Sequence, residues 1–296
     1  MAIQTTRGHA RTADPTISIV IPALNEARNL ERVLPELPAV HQVVLVDGGS
    51  VDDTVEVARR LMPAVDVVQQ TRRGKGNALV CGFAAATGDV VVMFDADGSA
   101  DPAEIPAFVD ALTAGADFAK GSRFRPGGGS HDITRFRGLG NRFLNIVTNL
   151  LLRTRYTDLC YGYNAFWREV LPQLALPSHL SPVGAGAMLW GDGFEIETVL
   201  NCRVVAAGLA VTEVPSIERS RFFGVSNLNA VRDGVRVLRT ILAERRAARR
   251  GTVVELPGSP AGSDVRRIGP VTVDHQLPVL TPCGAQDYAD ALEQIA

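Results

Sequence analysis

The chain has 296 residues, 46% of them hydrophobic and 21% charged, with a formal net charge of −2. That suits one large or two small globular domains and gives no bulk electrostatic attraction to nucleic acid. The four cysteines are scattered, with no C-x-x-C pair, which excludes a zinc ribbon or a disulfide framework and fits a reducing cytosol.

Residues 1–14 are polar and read as a flexible tail without the apolar core of a signal peptide. No apolar run approaches the ~18 residues of a membrane span, so contact with a membrane is expected to be peripheral. Residues 17–21 form a β-branched run stopped by Pro22, the first buried strand. Leu30, Val33, Leu34 and Leu37 then recur at helical spacing. Residues 42–46 are the second strand, ending at Asp47-Gly48-Gly49-Ser50, and a helix from Asp52-Asp53-Thr54 is expected to bury Val55, Ala58 and Met62. A short strand at 66–69, a helix at 74–86 and an apolar strand at 90–94 follow. A helix carrying Ile105, Phe108, Val109 and Leu112 leads to a fifth strand opening at Asp117. Strands alternating with helices, and apolar almost throughout, predict a parallel sheet covered on both faces.

In such a sheet the carboxyl ends of the strands share one edge, where ligands bind. Here those ends carry Pro22, Asn25 and Glu26, then Asp47, then Arg72, Arg73 and Lys75, then Asp95 and Asp97. Taken singly, each has an ordinary structural explanation, as turn residue or helix cap. Together they collect acceptors for a base and ribose, cations for phosphate, and paired carboxylates for a hard divalent cation. Asp101-Pro102 reads as a helix cap and start. No G-x-x-x-x-G-K-[ST] loop occurs, and Gly74-Lys75-Gly76 lacks the third glycine of a dinucleotide fingerprint.

Pro22-Ala23-Leu24-Asn25-Glu26, Asp47-Gly48-Gly49-Ser50, Gly74-Lys75-Gly76-Asn77-Ala78 and Asp95-Ala96-Asp97 together resemble family 2 glycosyltransferases of the GT-A fold. Gly121-Ser122-Arg123-Phe124 and residues 158–166 extend the likeness toward the dolichyl- or polyprenyl-phosphate mannosyl- and glucosyltransferases. The resemblance implies an α/β fold with a mostly parallel, Rossmann-like sheet. It also implies inverting transfer from a nucleoside-diphosphate sugar such as GDP-mannose or UDP-glucose, assisted by Mg²⁺ or Mn²⁺. Pro22, Leu24, Glu26 and Asp47 would line the base and ribose pocket, and Lys75 would approach the nucleotide. Asp95 would contact ribose or metal, Asp97 would be the main metal ligand, and Ser99 stands where relatives often carry glutamine. The acceptor implied is a polyprenyl phosphate, met by a cytoplasmic or peripheral enzyme at the inner membrane face. A soluble hydroxyl acceptor and an inactive nucleotide-sugar-binding protein are the alternatives. A sugar-nucleotide pyrophosphorylase is disfavoured because the first strand is not followed by a glycine-rich loop with Arg and Lys.

The catalytic unit is expected over 15–250, with a nucleotide-binding half at 15–123 and an acceptor-side half at 124–250. Residues 125–130 form a Gly-rich loop. A helix follows with Leu139, Phe143, Ile146, Val147, Leu150 and Leu151 on one face and five arginines around it, at 135, 137, 142, 153 and 155. That face is either core or an interfacial surface. By the resemblance, Arg123 and Arg137 are phosphate-binding candidates, and Tyr163 belongs to a segment shaping the sugar and acceptor pocket. Asp192, in Gly191-Asp192-Gly193, reads as an N-cap or as the carboxylate that deprotonates an acceptor hydroxyl. Of Glu195 and Glu197, one is expected to hold a loop arginine. Residues 219–228 resemble an R-x-x-G-x-S-K-L element in which Arg221 would bind diphosphate or acceptor phosphate, Ser226 the acceptor, and Asn227 replaces lysine. A last helix spans 228–250, and 251–296 reads as an irregular tail with a short helix at 286–295.

Overall fold

The computed structural model describes residues 11–184, 187–224 and 230–252. Its centre is a seven-stranded sheet in the order β3-β2-β1-β4-β7-β5-β8. The first half alternates as expected: β1 (Ile17–Ala23), α1 (Ala27–Glu36), β2 (Gln42–Asp47), α2 (Thr54–Leu61), β3 (Asp66–Gln69), α3 (Lys75–Ala85) and β4 (Val90–Met93). A 3₁₀ turn at Pro102–Glu104 leads into α4 (Ile105–Thr113) and β5 (Phe118–Ser122). The second half holds β6 (Gly129–Ser130), α5 (Arg135–Leu152), β7 (Asn164–Trp167), a 3₁₀ segment at Arg168–Leu174, α6 (Ile196–Ala206), β8 (Val211–Pro215), β9 (Ile217–Glu218) and α7 (Ala230–Arg250).

All pairings in the main sheet are parallel except those of β7, which runs antiparallel between β4 and β5. β6 and β9 make a separate parallel pair. Ile19, Val20, Ile21, Val44, Leu45 and Val90 to Val92 are fully buried, as strands covered on both faces must be. β1 runs through Pro22 to Ala23 and pairs there with Val46 and Asp47 of β2. On α2 the buried residues are Thr54, Val57 and Ala58, a face turned slightly from the expected one. A second, smaller apolar cluster joins α5 to α7 through Leu144, Tyr156, Leu159, Cys202 and Ile241.

The tail expected over 1–14 is described from Arg11 onward. There the Arg11 guanidinium pairs with Asp117 at 2.6 Å and Glu169 at 2.8 Å, tying that end to the sheet. The tail and short helix expected beyond residue 252, and Ser226 and Asn227, lie outside the described residues.

Candidate active site

Register builds the site. Ala23 pairs with Asp47, Asp47 with Gln69, and Val20 with Met93, so the carboxyl ends of β1 to β4 stand side by side. Because β7 is antiparallel, it begins at this same edge, with Asn164 opposite Met93. Residues 158–163, which lead into it, therefore border the ends of the parallel strands.

After Met93 the chain leaves the sheet, yet burial still alternates: Phe94, Ala96 and Gly98 face inward, and Asp95, Asp97 and Ser99 face the open side. The two carboxylates thus share a face, as the spacing predicts. Each is met by a cation. Lys75 Nζ at the start of α3 lies 2.7 Å from Asp95 Oδ1 and 2.9 Å from Glu197 Oε1. Burial opposes the charge on Lys75, but the two carboxylates outweigh it and hold the ammonium above its ordinary pKa. Arg221 Nη2 lies 3.3 Å from Asp97 Oδ2, and its Nε is buried without a partner among the described residues. Ser99 donates its hydroxyl (2.6 Å) and its backbone N–H (3.0 Å) to Asp97 Oδ1, so it orients that carboxylate.

Residues 219–223 are strapped across this turn. Arg219 N–H donates to Ser99 O at 2.8 Å, and Phe222 N–H to Asp97 O at 3.0 Å. Gly98 sits at φ +81°, and a Cβ there would come within 2.4 Å of the Phe222 ring, so only glycine allows the closure. Phe223 N–H donates to Asn29 on α1 at 3.0 Å, with the Arg28 guanidinium 4.0 Å from the Phe223 ring centre. Glu26 lies within the same field: burial lifts its carboxyl above the ordinary value, Asn29 opposes, and the negative charge of Asp97 adds.

Asp47 is at the expected edge, where it serves its own turn. Burial alone would raise its carboxyl, but hydrogen bonds from Ser50, Gln69 and Gly49 hold it below the usual range. Pro22 is half-buried at the end of β1, and Leu24 is exposed just beyond it.

Several expected roles do not match the geometry. Asp192 is not poised as a base: its Oδ2 and Oδ1 accept from Arg72 Nε (2.7 Å) and Nη2 (2.9 Å), and Oδ2 also takes Leu189 N–H at 2.6 Å. Both side chains are almost fully enclosed, so this carboxylate is spent inside the protein. Arg123 does not reach for a diphosphate. It is clamped on Asp158 at 2.7 and 2.9 Å and on Glu218 at 3.0 Å, with its guanidinium 4.9 Å from the Tyr161 ring centre. Tyr163 is core: it stacks on Phe108 at 4.4 Å and donates its hydroxyl to Asp101 O. Arg137 lies half-buried on α5, 3.7 Å from Asp132. Asp101 caps the following turn as expected, accepting from Ala103 N–H at 2.9 Å.

Glu197 was the residue whose position the sequence left open. Of the acidic pair at the start of α6, Glu195 precedes the helix and accepts from the N–H groups of Gly191 and Gly193, while Glu197 holds Lys75 rather than an arginine. Gly162 lies against the same group: a Cβ on it would stand 3.2 Å from Glu197 Oε1, 3.4 Å from Lys75 Nζ and 3.6 Å from Asp95 Oδ2. The helical start at Ile196 is the signal that places Glu197, in the first turn, at the site edge.

The sequence model of the family described as "Glycosyl transferase family 2" matches residues 18–174. The chain belongs to glycosyltransferase family 2. This family 2 glycosyltransferase is 35% identical over 223 residues to polyprenol monophosphomannose synthase of Mycolicibacterium smegmatis, covering 71% of this chain and 80% of that one. It is 33% identical over 266 residues to glycosyltransferase AglD of Haloferax volcanii; the match covers 83% of this chain but only 40% of AglD. Among solved structures it resembles glucosyl-3-phosphoglycerate synthase of Mycobacterium tuberculosis in complex with Mn²⁺, UDP and glucosyl-3-phosphoglycerate. The TM-score is 0.60 at 26% identity, covering 82% of this chain and 84% of that one. The fold is GT-A, and the enzyme uses a nucleotide sugar. Among the described residues, no helix is long and apolar enough to cross a membrane.

Proposed function

We propose that this glycosyltransferase moves a sugar, with inversion, from a nucleoside-diphosphate sugar of the GDP-mannose or UDP-glucose type to a polyprenyl phosphate at the inner membrane face. The observation that carries the donor side is the meeting of Asp95 and Asp97 with Lys75 and Arg221 at the carboxyl edge of the sheet. Two carboxylates on one face, each already faced by a cation, make a place that selects positive charge beside a binding region for phosphate. Hard carboxylate oxygens fit Mg²⁺ or Mn²⁺, and Asp97, oriented by Ser99, is the principal ligand with Asp95 beside it. Among the described residues no third His, Cys, Asp or Glu joins them, which leaves the remaining positions to diphosphate oxygens and water. When bound, such an ion neutralises the charge that builds on the leaving nucleoside diphosphate.

The chain's own groups do the rest. Lys75 and Arg221 supply positive charge at the phosphates, and Glu26, Asp47, Pro22 and Leu24 border the base and ribose. Glu197 and Gly162, beside Lys75 and Asp95, border the sugar. The acceptor reading is supported by Asp192: a phosphate monoester is already anionic and needs no carboxylate to take its proton, so Asp192 is free to serve Arg72. It is also supported by the relative named polyprenol monophosphomannose synthase. The likeness to glucosyl-3-phosphoglycerate synthase favours a second reading, a small soluble phosphorylated acceptor.

A thermal-shift panel of UDP, GDP and TDP with Mn²⁺ identifies the base, since a ligand of the native state raises apparent stability. Transfer from the matching sugar nucleotide is then measured to a polyprenyl phosphate and to 3-phosphoglycerate. A lipid-linked product is expected; product on the soluble acceptor alone would replace this reading with the second.

A further inference from the structure

Helix α5 is built inside out. Its enclosed face carries Asn141, Asn145 and Thr148 beside Leu144, with Leu151 and Leu152 packed at its C-terminal end. Its outward face carries Leu139, Phe143, Ile146 and Leu150, exposed by 67%, 56%, 51% and 75%. Spacings of four, three and four residues put these on one line down the helix, a ridge about 16 Å long. Of the face read from the sequence, Leu151 packs against the smaller apolar cluster, while these four residues are left out of the core.

The inversion has a cause. The polar residues within are tied to the segment that enters the active site: Asn141 donates to Asp158 at 2.9 Å, and Asn145 accepts from Leu159 N–H at 2.8 Å. Much of the inward face is spent on those hydrogen bonds, and four large apolar residues are turned to the outside. A helix whose apolar face is left outward needs something else to cover it.

Charge identifies the cover. Residues 133–157 hold five arginines and no carboxylate. Arg142, Arg153 and Arg155 are exposed, and among the described residues none has an acidic partner. By helical angle Arg142 flanks the ridge, and Arg153 caps the C-terminal end of the helix just beyond it. α7, packed on α5 through Leu144 and Ile241, carries the exposed Arg239, Arg246, Arg249 and Arg250. A second copy of this chain is a poor fit, because two-fold pairing of the ridge would bring two arginine borders together with no carboxylate to receive them. An apolar ridge bordered by cations has the form of a helix lying in the plane of an anionic lipid surface.

We propose that α5 docks this enzyme on an anionic bilayer, with Leu139, Phe143, Ile146 and Leu150 at the acyl boundary and Arg142 and Arg153 at the lipid phosphates. The inference deepens the lipid-acceptor reading, but its test uses neither donor nor acceptor, so the two can fail separately. Full-length protein is floated with vesicles of phosphatidylcholine, with and without phosphatidylglycerol. Binding is expected only where phosphatidylglycerol is present, and it should weaken as salt is added. Phe143→Ser with Ile146→Ser should cut partitioning more than about tenfold, and Arg142→Glu at least about fivefold, with melting temperature and nucleotide-induced thermal shift unchanged. Three results would each overturn the proposal: no binding by the wild type, binding that survives both variants, or a dimer in solution that the double variant dissolves.

Discussion

Replacing Asp192 with asparagine should damage stability far more than chemistry. The carboxylate and Arg72 face each other through two hydrogen bonds, 2.7 and 2.9 Å long, with side-chain exposures of only 1% and 3%. Asparagine keeps the shape but removes the charge and turns one acceptor into a donor aimed at the guanidinium. Breaking a buried pair on one side costs about 3–5 kcal/mol. Arg72 keeps bonds to the carbonyls of Ser178 and His179, at 2.9 and 3.1 Å, which favours the lower end. A loss of about 3 kcal/mol should lower the melting temperature of a domain this size by about 6–12 °C. Melting is followed by circular dichroism, and transfer is measured at saturating donor well below the transition. Arg72→Met, which leaves the carboxylate uncompensated, should melt comparably low. An unchanged melting temperature with a rate reduced more than about a hundredfold would refute the reasoning and return Asp192 to the role of base.

Asp97→Ala should abolish the Mn²⁺-dependent part of the thermal shift given by nucleoside diphosphate; a wild-type shift would remove Asp97 from the metal site. Gly162→Val places methyl groups against Glu197 and Lys75 and should raise the donor KM about tenfold or more with little change in melting. An unchanged KM would put the sugar elsewhere. In Gly76→Ala the added Cβ would lie 1.7 Å from Gly191 O, so the N-terminus of α3 could not seat, and loss of soluble folded protein is expected. A soluble variant that melts like the wild type would contradict that packing. Burial raises the Asp158 carboxyl, but Arg123 overrides it and holds the folded pKa below the ordinary value. Its contribution to stability is therefore full above about pH 4 and drains as pH falls from there through the depressed folded value. The melting gap between wild type and Asp158→Asn should narrow over that range; a constant gap would assign the cost to packing instead of charge.

The parallel part of the sheet and its ligand edge were legible because each buried strand is a local apolar run, and the residue after each run falls on the same edge. Asp95 and Asp97 needed only the alternation of a strand. What was not legible depends on partners far along the chain. Asp192 looks free until Arg72, 120 positions earlier, is seen to hold it. Arg123 looks available for phosphate until Asp158 and Glu218 close on it. The four residues of β7 follow no periodic signal, and a strand that inserts backwards between two others is decided by the finished sheet. On α5 the pattern announced one apolar face correctly. It could not say that the asparagines opposite had bonds waiting at Asp158 and Leu159, and so which face would turn outward.

The backward strand also constrains the order in which this protein can come into being. Among the described residues β4 and β5 do not pair with each other; each pairs with β7, and β5 otherwise with β8. A nascent chain that has reached residue 123 can therefore assemble β3-β2-β1-β4, while β5 waits for a partner some forty residues from synthesis. At that stage Asp95 and Asp97 exist without Glu197, Arg221 or the strap at 219–223. The halves at 15–123 and 124–250 are thus interleaved pages of one sheet, not modules that a gene fusion could exchange. The cluster of Asp95, Asp97, Lys75, Glu197 and Arg221 is completed late, once the ribosome has passed Arg221.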